Sequence, residues 1–97
     1  MYILISSFSK APEIANLHFT GHCQWLNENI NNGNFLASGP KTSHLGGVII
    51  AKSMDKAELR KIIDNDSYVK ADVADYLIVE ANFKLCANGL EQLLETL

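Results

Sequence analysis

The chain has 97 residues, 47% of them hydrophobic and 20% charged, and eight basic against eleven acidic side chains give a formal net charge of −3. These proportions are those of an ordinary globular domain, so we predict one domain over residues 1–97. The slightly acidic balance, with no basic stripe, disfavours nucleic acid and anionic membrane surfaces as partners.

The amino terminus and the cysteines bear on the cellular compartment. The segment "MYILISSFSK" has no basic flank, long apolar run or small-residue cleavage site, so it is not typical of a secretory signal. No stretch approaches the ~20 apolar residues that a membrane span needs. Cys23 and Cys86 lie far apart and form no CxxC motif. Together these features predict a cytoplasmic protein with reduced thiols.

The first half of the chain contains two strand patterns around a helix pattern. The segment "YILISSF" (2–8) is short and rich in β-forming residues, which predicts a strand. Pro12 suits the start of a helix, and a helical pattern follows over about 13–32. The segment "NNGN" then predicts a helix stop with Gly33 in the left-handed conformation. The segment "FLASGP" (35–40) is typical of a second strand.

The second half repeats this alternation. The segment "LGGVIIAKS" (45–53) predicts a third strand, and Asp55 followed by Glu58 predicts a capping box at the start of a second helix. The segment "DYLIVEANF" (75–83) predicts a fourth strand. The tail, over about 88–97, has the leucine spacing of a short amphipathic helix. The buried stripe of the second helix is Leu59, Ile62 and Ile63, and that of the tail is Leu90, Leu93, Leu94 and Leu97.

The order β-α-β-β-α-β with a C-terminal helix predicts an α+β fold. Right-handed crossovers turn this order into a ferredoxin-like antiparallel sheet of four strands, with a core over about 1–84 and both main helices on one face. The other face of the sheet would be apolar and uncovered in a monomer. We therefore predict a homodimer.

Two ionisable residues lie at positions where the helical patterns require apolar side chains. Steps of four back from Ile30 reach Leu26, His22 and His18, and the stripe of the second helix continues to Asp66. Because both helices cover the same sheet face, we predict that His22 and Asp66 reach one cavity between helices and sheet. A carboxylate beside an imidazole fixes its tautomer and makes it a better base, which suits proton transfer.

Each of these residues also has a structural interpretation. A single inward-facing histidine is more often a hydrogen-bonded core residue, and the Asp of "DNDSY" is typical of a helix end or turn. His18 and His22 could face one metal ion, but neither an HExxH motif nor a third ligand is evident, so we predict no metal site. Cys23 follows His22, yet helix neighbours point about 100° apart, which disfavours a Cys–His nucleophile pair.

Further residues are candidates for substrate contact. Ser38, Gly39 and Pro40 end the second strand, where backbone N–H groups can bind a ligand oxygen, so we predict that they contact the substrate. Trp25 is predicted in the core or in the cavity wall, and in the wall it would contact the substrate as well. His44 lies in a Ser/Thr loop and is predicted to be solvated.

Two long segments carry a resemblance to a known family. The segment "HCQWLNENINNGNFLASGPKTSHLGGVIIAKS", followed by "AELRKIIDNDSYVKADVADYLIVE", closely resembles the YCII-related (YciI-like) domain family over about residues 1–84. The resemblance implies a dimeric α+β barrel, similar to muconolactone isomerase, with a cleft between sheet and helices. It also implies an enzyme whose conserved pair falls on His22 and Asp66, acting on small ring compounds by proton transfer, isomerisation or elimination.

The sequence departs from the family pattern at two positions. The family's Asp-Pro-(Phe/Tyr) element reads Asp66-Ser67-Tyr68, which predicts a less rigid turn and a less firmly placed aspartate. Many relatives carry a basic residue after the helix-ending glycine, where this chain has Asn34. That difference disfavours the binding of an anionic substrate at this point.

Two functional hypotheses are therefore open. The first is a lyase or isomerase without a cofactor, in which His22 is the general base and Asp66 orients it. Ser38 and the Gly39 backbone would then hold a substrate oxygen where negative charge develops. The alternative is a dimeric module that binds a small molecule or a partner without catalysis, in which His22 and Asp66 form a structural hydrogen bond.

Overall fold

A computed structural model describes residues 1–94 of the chain. In chain order the elements are β1 (Tyr2–Phe8), α1 (Pro12–Asn16), α2 (Phe19–Asn31), β2 (Phe35–Pro40), β3 (Gly47–Ala51), α3 (Lys56–Asp64), α4 (Ser67–Lys70), β4 (Ala74–Glu80) and a 3₁₀ turn (Glu91–Leu93).

The four strands form one antiparallel sheet in the order β2-β3-β1-β4. Each outer strand is reached by a helical crossover, which gives the predicted α+β, ferredoxin-like arrangement. The alternation along β1 buries Tyr2, Leu4 and Ser6 on the side of the helices, which we call the inner face. The predicted α+β, ferredoxin-like fold is therefore confirmed.

The core lies between the inner face and the helices. Its main cluster consists of Tyr2, Leu4, Trp25, Phe35, Ile49, Ala51, Leu59 and Ile63. A second, smaller cluster joins α1 to α4 and the start of β4, and consists of Ala15, Tyr68, Val73 and Ala74. The site described below lies between these two clusters.

The opposite side of the sheet, which we call the outer face, is apolar. It is formed by Ile3, Ile5, Val48, Ile50, Leu77 and Val79, which the strand registers place side by side. Leu77 is 62% exposed, and Val48 and Val79 are also exposed. An apolar surface of this kind is typical of an interface.

The helix predicted over 13–32 is broken into α1 and α2. The break lies at Leu17 and His18, and His18 becomes the N-cap residue of α2. Ala15 and Trp25, ten residues apart, would point about 80° apart on one straight helix at 100° per residue. The break turns both side chains toward the protein, where each is buried in its own cluster.

The face of α2 that is buried also differs from the predicted stripe. Trp25 and Asn29 are its buried residues, whereas Ile30 is exposed. Gly33, with a φ of 84°, has the predicted left-handed conformation after the helix.

The third strand, the fourth strand and the start of α3 also differ from the predictions. The third strand is Gly47–Ala51 instead of 45–53, and the fourth is Ala74–Glu80 instead of 75–83. Asp55 is the N-cap residue of α3, but its side chain makes no capping hydrogen bond, so the predicted capping box is not formed.

The tail does not form the predicted helix within the described residues. Only Glu91–Leu93 is helical, as a 3₁₀ turn, and Leu94 makes an isolated parallel bridge with Phe83. The end of the predicted helix, including Leu97, lies outside the described residues.

None of the helices within residues 1–94 is long and apolar enough to cross a membrane.

Candidate active site

His22 and Asp66 are in direct contact. The His22 Nδ1 atom lies 2.8 Å from Asp66 Oδ1. Because an ionised carboxylate can only accept hydrogen bonds, Nδ1 is the donor of this bond, and in a neutral imidazole the lone pair then lies on Nε2. We call this pair the dyad.

Asp66 is held from three directions. It lies two residues beyond the end of α3 and is the N-cap residue of α4, where its Oδ1 accepts the backbone N–H of Tyr68 at 3.1 Å. Its Oδ2 accepts the Tyr76 hydroxyl at 2.8 Å. With the dyad bond these contacts supply three donors to a carboxylate that is 0% exposed. The turn is therefore firmly fixed although Ser67 stands where the family has proline.

This geometry corrects the route by which Asp66 reaches the site. The residue is not part of the α3 stripe, and its side chain does not line the cavity. It lies behind the cavity wall and is bonded to three residues that line it, His22, Tyr68 and Tyr76. Asp66 is therefore a turn residue, as the structural interpretation predicted, and it also contacts His22, as the functional interpretation predicted.

Tyr76 is the polar support on the far side of Asp66. Burial, followed by the negative charge and hydrogen bond of Asp66, raises the pKa of Tyr76 well above its ordinary value, while a hydrogen bond with Ser6 opposes the shift. The phenol therefore stays protonated and keeps donating to the carboxylate. Ser6 is itself held in place by the backbone N–H of Gly47, which donates to its Oγ at 2.8 Å.

The sequence interpretation missed this support. Ser6 and Tyr76 pair across β1 and β4, and both lie on the inner face of the sheet. Polar groups at the inward positions of apolar strands were the signal available in the sequence.

Tyr68 fixes the plane of the imidazole. Its ring stacks on His22 with a centroid distance of 4.0 Å and an interplanar angle of 7°. Burial raises the pKa of the Tyr68 hydroxyl, with smaller contributions from Cys23 and Asp66. The stacked ring and the Asp66 bond together leave His22 little rotational freedom.

A cavity of about 760 Å³ lies against the other side of His22. This volume is within the range of small-molecule sites, about 300–1,000 Å³. The His22 side chain is 14% exposed and lines this cavity. Apolar residues from both helices and strands form much of the wall: Phe8, Pro12, Phe19, Leu26, Pro40 and Ile49.

The charge of this wall is low. Glu13 contributes a carboxylate, and His22 and His44 contribute imidazoles, while the described residues that line the cavity include no lysine or arginine. The wall formed by the described residues therefore offers no lysine or arginine to a carboxylate or phosphate group.

Ser38, Gly39 and Pro40 lie on β2 and line the cavity, as does His22. The structure thus brings the "SGP" segment of β2 and the His22 imidazole of α2 to the same cavity. His44, predicted to be solvated, is exposed and also lines the cavity, with a φ of 62°.

Two candidates do not reach the cavity. Trp25, predicted to contact substrate if it lay in the wall, is buried in the core, where its Nε1–H donates to the Ile62 carbonyl at 2.8 Å and its ring meets Phe35 edge-on. His18 caps α2 through its backbone and does not line the cavity. Within residues 1–94 no group of three or more His, Cys, Asp or Glu side chains could hold a metal ion.

Comparison with known proteins identifies one family and one informative structure. The family model of the YCII-related domain matches residues 2–82. No curated protein matches the chain in sequence.

Among solved structures, the chain is similar to 5-chloro-2-hydroxyhydroquinone dehydrochlorinase (TftG) from Burkholderia phenoliruptrix AC1100, in complex with 2,5-dihydroxybenzoquinone. The TM-score is 0.69 at 16% sequence identity, over 87% of this chain and 96% of the other. At that identity the likeness establishes the fold.

Proposed function

The chain belongs to the YCII-related domain family, and from this premise and the geometry of the dyad we propose that it is a lyase or isomerase acting on a small ring compound. The observation that carries the proposal is the 2.8 Å bond between His22 and Asp66 at the wall of an open cavity. The dehydrochlorinase with the same fold acts on a hydroxylated ring, which supports this substrate class.

In the proposed reaction His22 Nε2 is the general base. It removes a proton from the substrate, and the electron pair of the broken bond moves to a ring oxygen or into a new double bond. The imidazolium that forms is stabilised by the Asp66 carboxylate at Nδ1. Asp66 is thus a positioning residue, since it touches His22 and not the substrate.

The reaction ends in one of two ways. In an isomerisation the imidazolium returns the proton to a different substrate atom. In an elimination a group such as chloride leaves with its bonding electrons, so that the net loss is one proton and one chloride ion. Neither route needs an oxidant, a reductant or a cofactor. Negative charge that develops on a ring oxygen would be held by Ser38 Oγ and the Gly39 backbone.

The cavity chemistry narrows the substrate class. Apolar walls suit an aromatic or quinonoid ring, and the wall lacks a lysine or arginine partner for an anion among the described residues. We therefore expect hydroxylated rings without carboxylate or phosphate substituents, such as hydroquinones and their chlorinated forms.

The proposed assembly is a homodimer in which two outer faces pack together, as in a dimeric α+β barrel. The exposed apolar side chains of Leu77, Val79 and Val48 support this arrangement. We also propose that each subunit is a single domain and that the dimer is located in the cytoplasm.

The test is proton transfer itself, because that step is common to both reaction types. The protein is incubated in D₂O with hydroquinone, 2-chlorohydroquinone and 5-chloro-2-hydroxyhydroquinone, with 2,5-dihydroxybenzoate as the carboxylated control. Deuterium uptake is followed by mass spectrometry and chloride release by ion chromatography. We expect catalysed exchange or chloride release with at least one of the uncharged rings, and less with the control.

Matched variants connect the activity to the dyad. His22→Ala should lower the rate by about 10²–10⁴-fold, the usual contribution of a general base. His18→Ala removes an imidazole from the same part of the chain but away from the cavity, and should leave the rate unchanged. Full activity of a folded His22→Ala variant would contradict the mechanism. A bound ring compound without any exchange would favour the alternative, a non-catalytic binding module.

A further inference from the structure

The helices α2 and α4 approach closely where Gly21 faces Ser67. A Cβ atom added to Gly21 would lie 3.0 Å from the Ser67 Cβ and closer still to the Ser67 Oγ. Ordinary contacts of a Cβ atom are 3.4–4 Å. Rotation of the Ser67 hydroxyl can relieve the Oγ contact, but the Cβ contact remains, so a methyl group at position 21 requires the two helices to give by a few tenths of an ångström.

These two residues flank the dyad in sequence. Gly21 directly precedes His22 on α2, and Ser67 directly follows Asp66 at the start of α4. The distance between the two helix backbones at this point thus sets how far the imidazole is from the carboxylate. The observed result is the 2.8 Å bond.

The end of α3 prevents α2 from adjusting freely. One turn beyond Gly21, the Trp25 Nε1–H donates to the Ile62 carbonyl at 2.8 Å. Movement of α2 away from α4 as a rigid body would stretch this second bond as well. A larger residue at position 21 must therefore tilt α2, and the tilt would be greatest beside His22.

We infer that Gly21 is a positioning residue for the dyad, because its missing side chain lets α2 pack against Ser67 at the separation that the His22–Asp66 bond requires. The inference rests on the proposed function for its catalytic meaning, while the positioning itself is a property of the unliganded protein. Helix propensity favours alanine over glycine, so any loss caused by Gly21→Ala must come from this contact.

The experiment is a one-bond ¹H–¹⁵N correlation that detects the imidazole N–H of the unliganded, full-length protein. In the wild type we expect a resolved His22 Nδ1–H signal with slow exchange. In Gly21→Ala the helices must separate by a few tenths of an ångström, which weakens the bond. We expect the signal to be lost or its exchange with water to be about tenfold faster, the effect of losing about one hydrogen bond.

Rescue distinguishes positioning from general damage. Ser67→Gly removes the opposing side chain, so the double variant Gly21→Ala/Ser67→Gly should regain the wild-type signal, and Ser67→Gly alone should keep it. If Gly21→Ala does not fold, the double variant must fold and show the signal.

Two results would overturn the inference. One is an unchanged Nδ1–H signal in folded Gly21→Ala, and the other is a double variant that remains as impaired as the single one. Since no substrate is present, failure of this test is distinct from failure of the proposed reaction. A wild-type His22 Nδ1–H signal in a protein without catalytic activity would reject only the proposed reaction.

Discussion

A carboxylate without exposed surface, as in Asp66, is costly to bury unless donors replace its hydration. The structure supplies three donors, from His22, Tyr68 and Tyr76. The same bonds that replace the hydration of the carboxylate also orient the imidazole. Stability and the proposed activity are therefore coupled at this residue.

This coupling predicts a large effect of substitution at Asp66. Asp66→Ala leaves three buried donors without an acceptor and removes a helix N-cap, so it should lower the free energy of unfolding by about 3–5 kcal/mol. Urea denaturation measures the change. Asp64→Ala, which removes only an exposed i,i+4 pair with Arg60, should cost less than about 0.5 kcal/mol. Equal effects of the two substitutions would contradict the account.

Tyr76 predicts a dependence of stability on alkaline pH. Its folded-state pKa is raised, so the unfolded chain releases this proton first, near the ordinary tyrosine value of about 10. The contribution of Tyr76 is thus fully present below pH ~10 and is lost as the pH rises above it.

We expect Tyr76→Phe to destabilise the protein at neutral pH by about 1.5–3 kcal/mol, the usual contribution of a hydrogen bond to a charged group. The difference from wild type should shrink steadily above pH ~10. Denaturation midpoints between pH 7 and 11 test this, and because Tyr2 and Tyr68 are present in both proteins, their titration cancels. A constant difference across that range would refute the assignment.

At the residue scale the sequence predicted the two members of the dyad but not their surroundings. Counting in steps of four drifts by 40° per step on a helix of 100° per residue, so the stripe drawn from Ile30 was already 80° off at His22. His22 still reaches the cavity because it lies at the edge of the buried face, beside Trp25. The Tyr76 contact depends on the pairing of β1 with β4, which local patterns do not contain.

At the scale of elements, the strand and helix order was predictable because apolar periodicity and turn residues agree along most of the chain. The break between α1 and α2 was not predictable, since it lets each helix pack into a different core cluster, and the positions of the clusters depend on the tertiary fold. The tail shows the same limit. Its leucine spacing fits a helix, yet within the described residues the segment forms a 3₁₀ turn and a bridge to Phe83.

Trp25 provides a prediction about how the helices are held together. Trp25→Phe keeps an aromatic ring in the core but leaves the Ile62 carbonyl without its donor. We expect a loss of about 1 kcal/mol in unfolding free energy and an unchanged KM for any ring substrate, because the indole does not line the cavity. A rise in KM without a change in stability would instead restore the role in substrate contact predicted from the sequence.

At the scale of the whole molecule, the outer face decides the assembly. A single sheet layer with exposed Leu77, Val79 and Val48 has an apolar surface that a second copy can cover. This surface follows from strand alternation and was predictable from the sequence. The residues that would meet between two copies were not predictable from the sequence, because the registers of all four strands are needed to define the face.

The predicted effect of disrupting this face is dissociation. Leu77→Asp places a charge on the exposed apolar side of the edge strand β4, within the proposed interface, and light scattering should show a change from twice the chain mass to the chain mass at micromolar concentration. Leu85→Asp, at a leucine that is 90% exposed and outside the sheet, should remain dimeric. A wild-type protein that scatters as a single chain would reject the dimer.

The proposed role of the dyad is best tested by ¹⁵N spectra of His22 during titration with 2-chlorohydroquinone. The account predicts a hydrogen on Nδ1, none on Nε2, and a saturable shift of the Nε2 resonance as the ring compound binds. The hydrogen on Nε2 instead, or binding that leaves the His22 resonances unmoved, would contradict it.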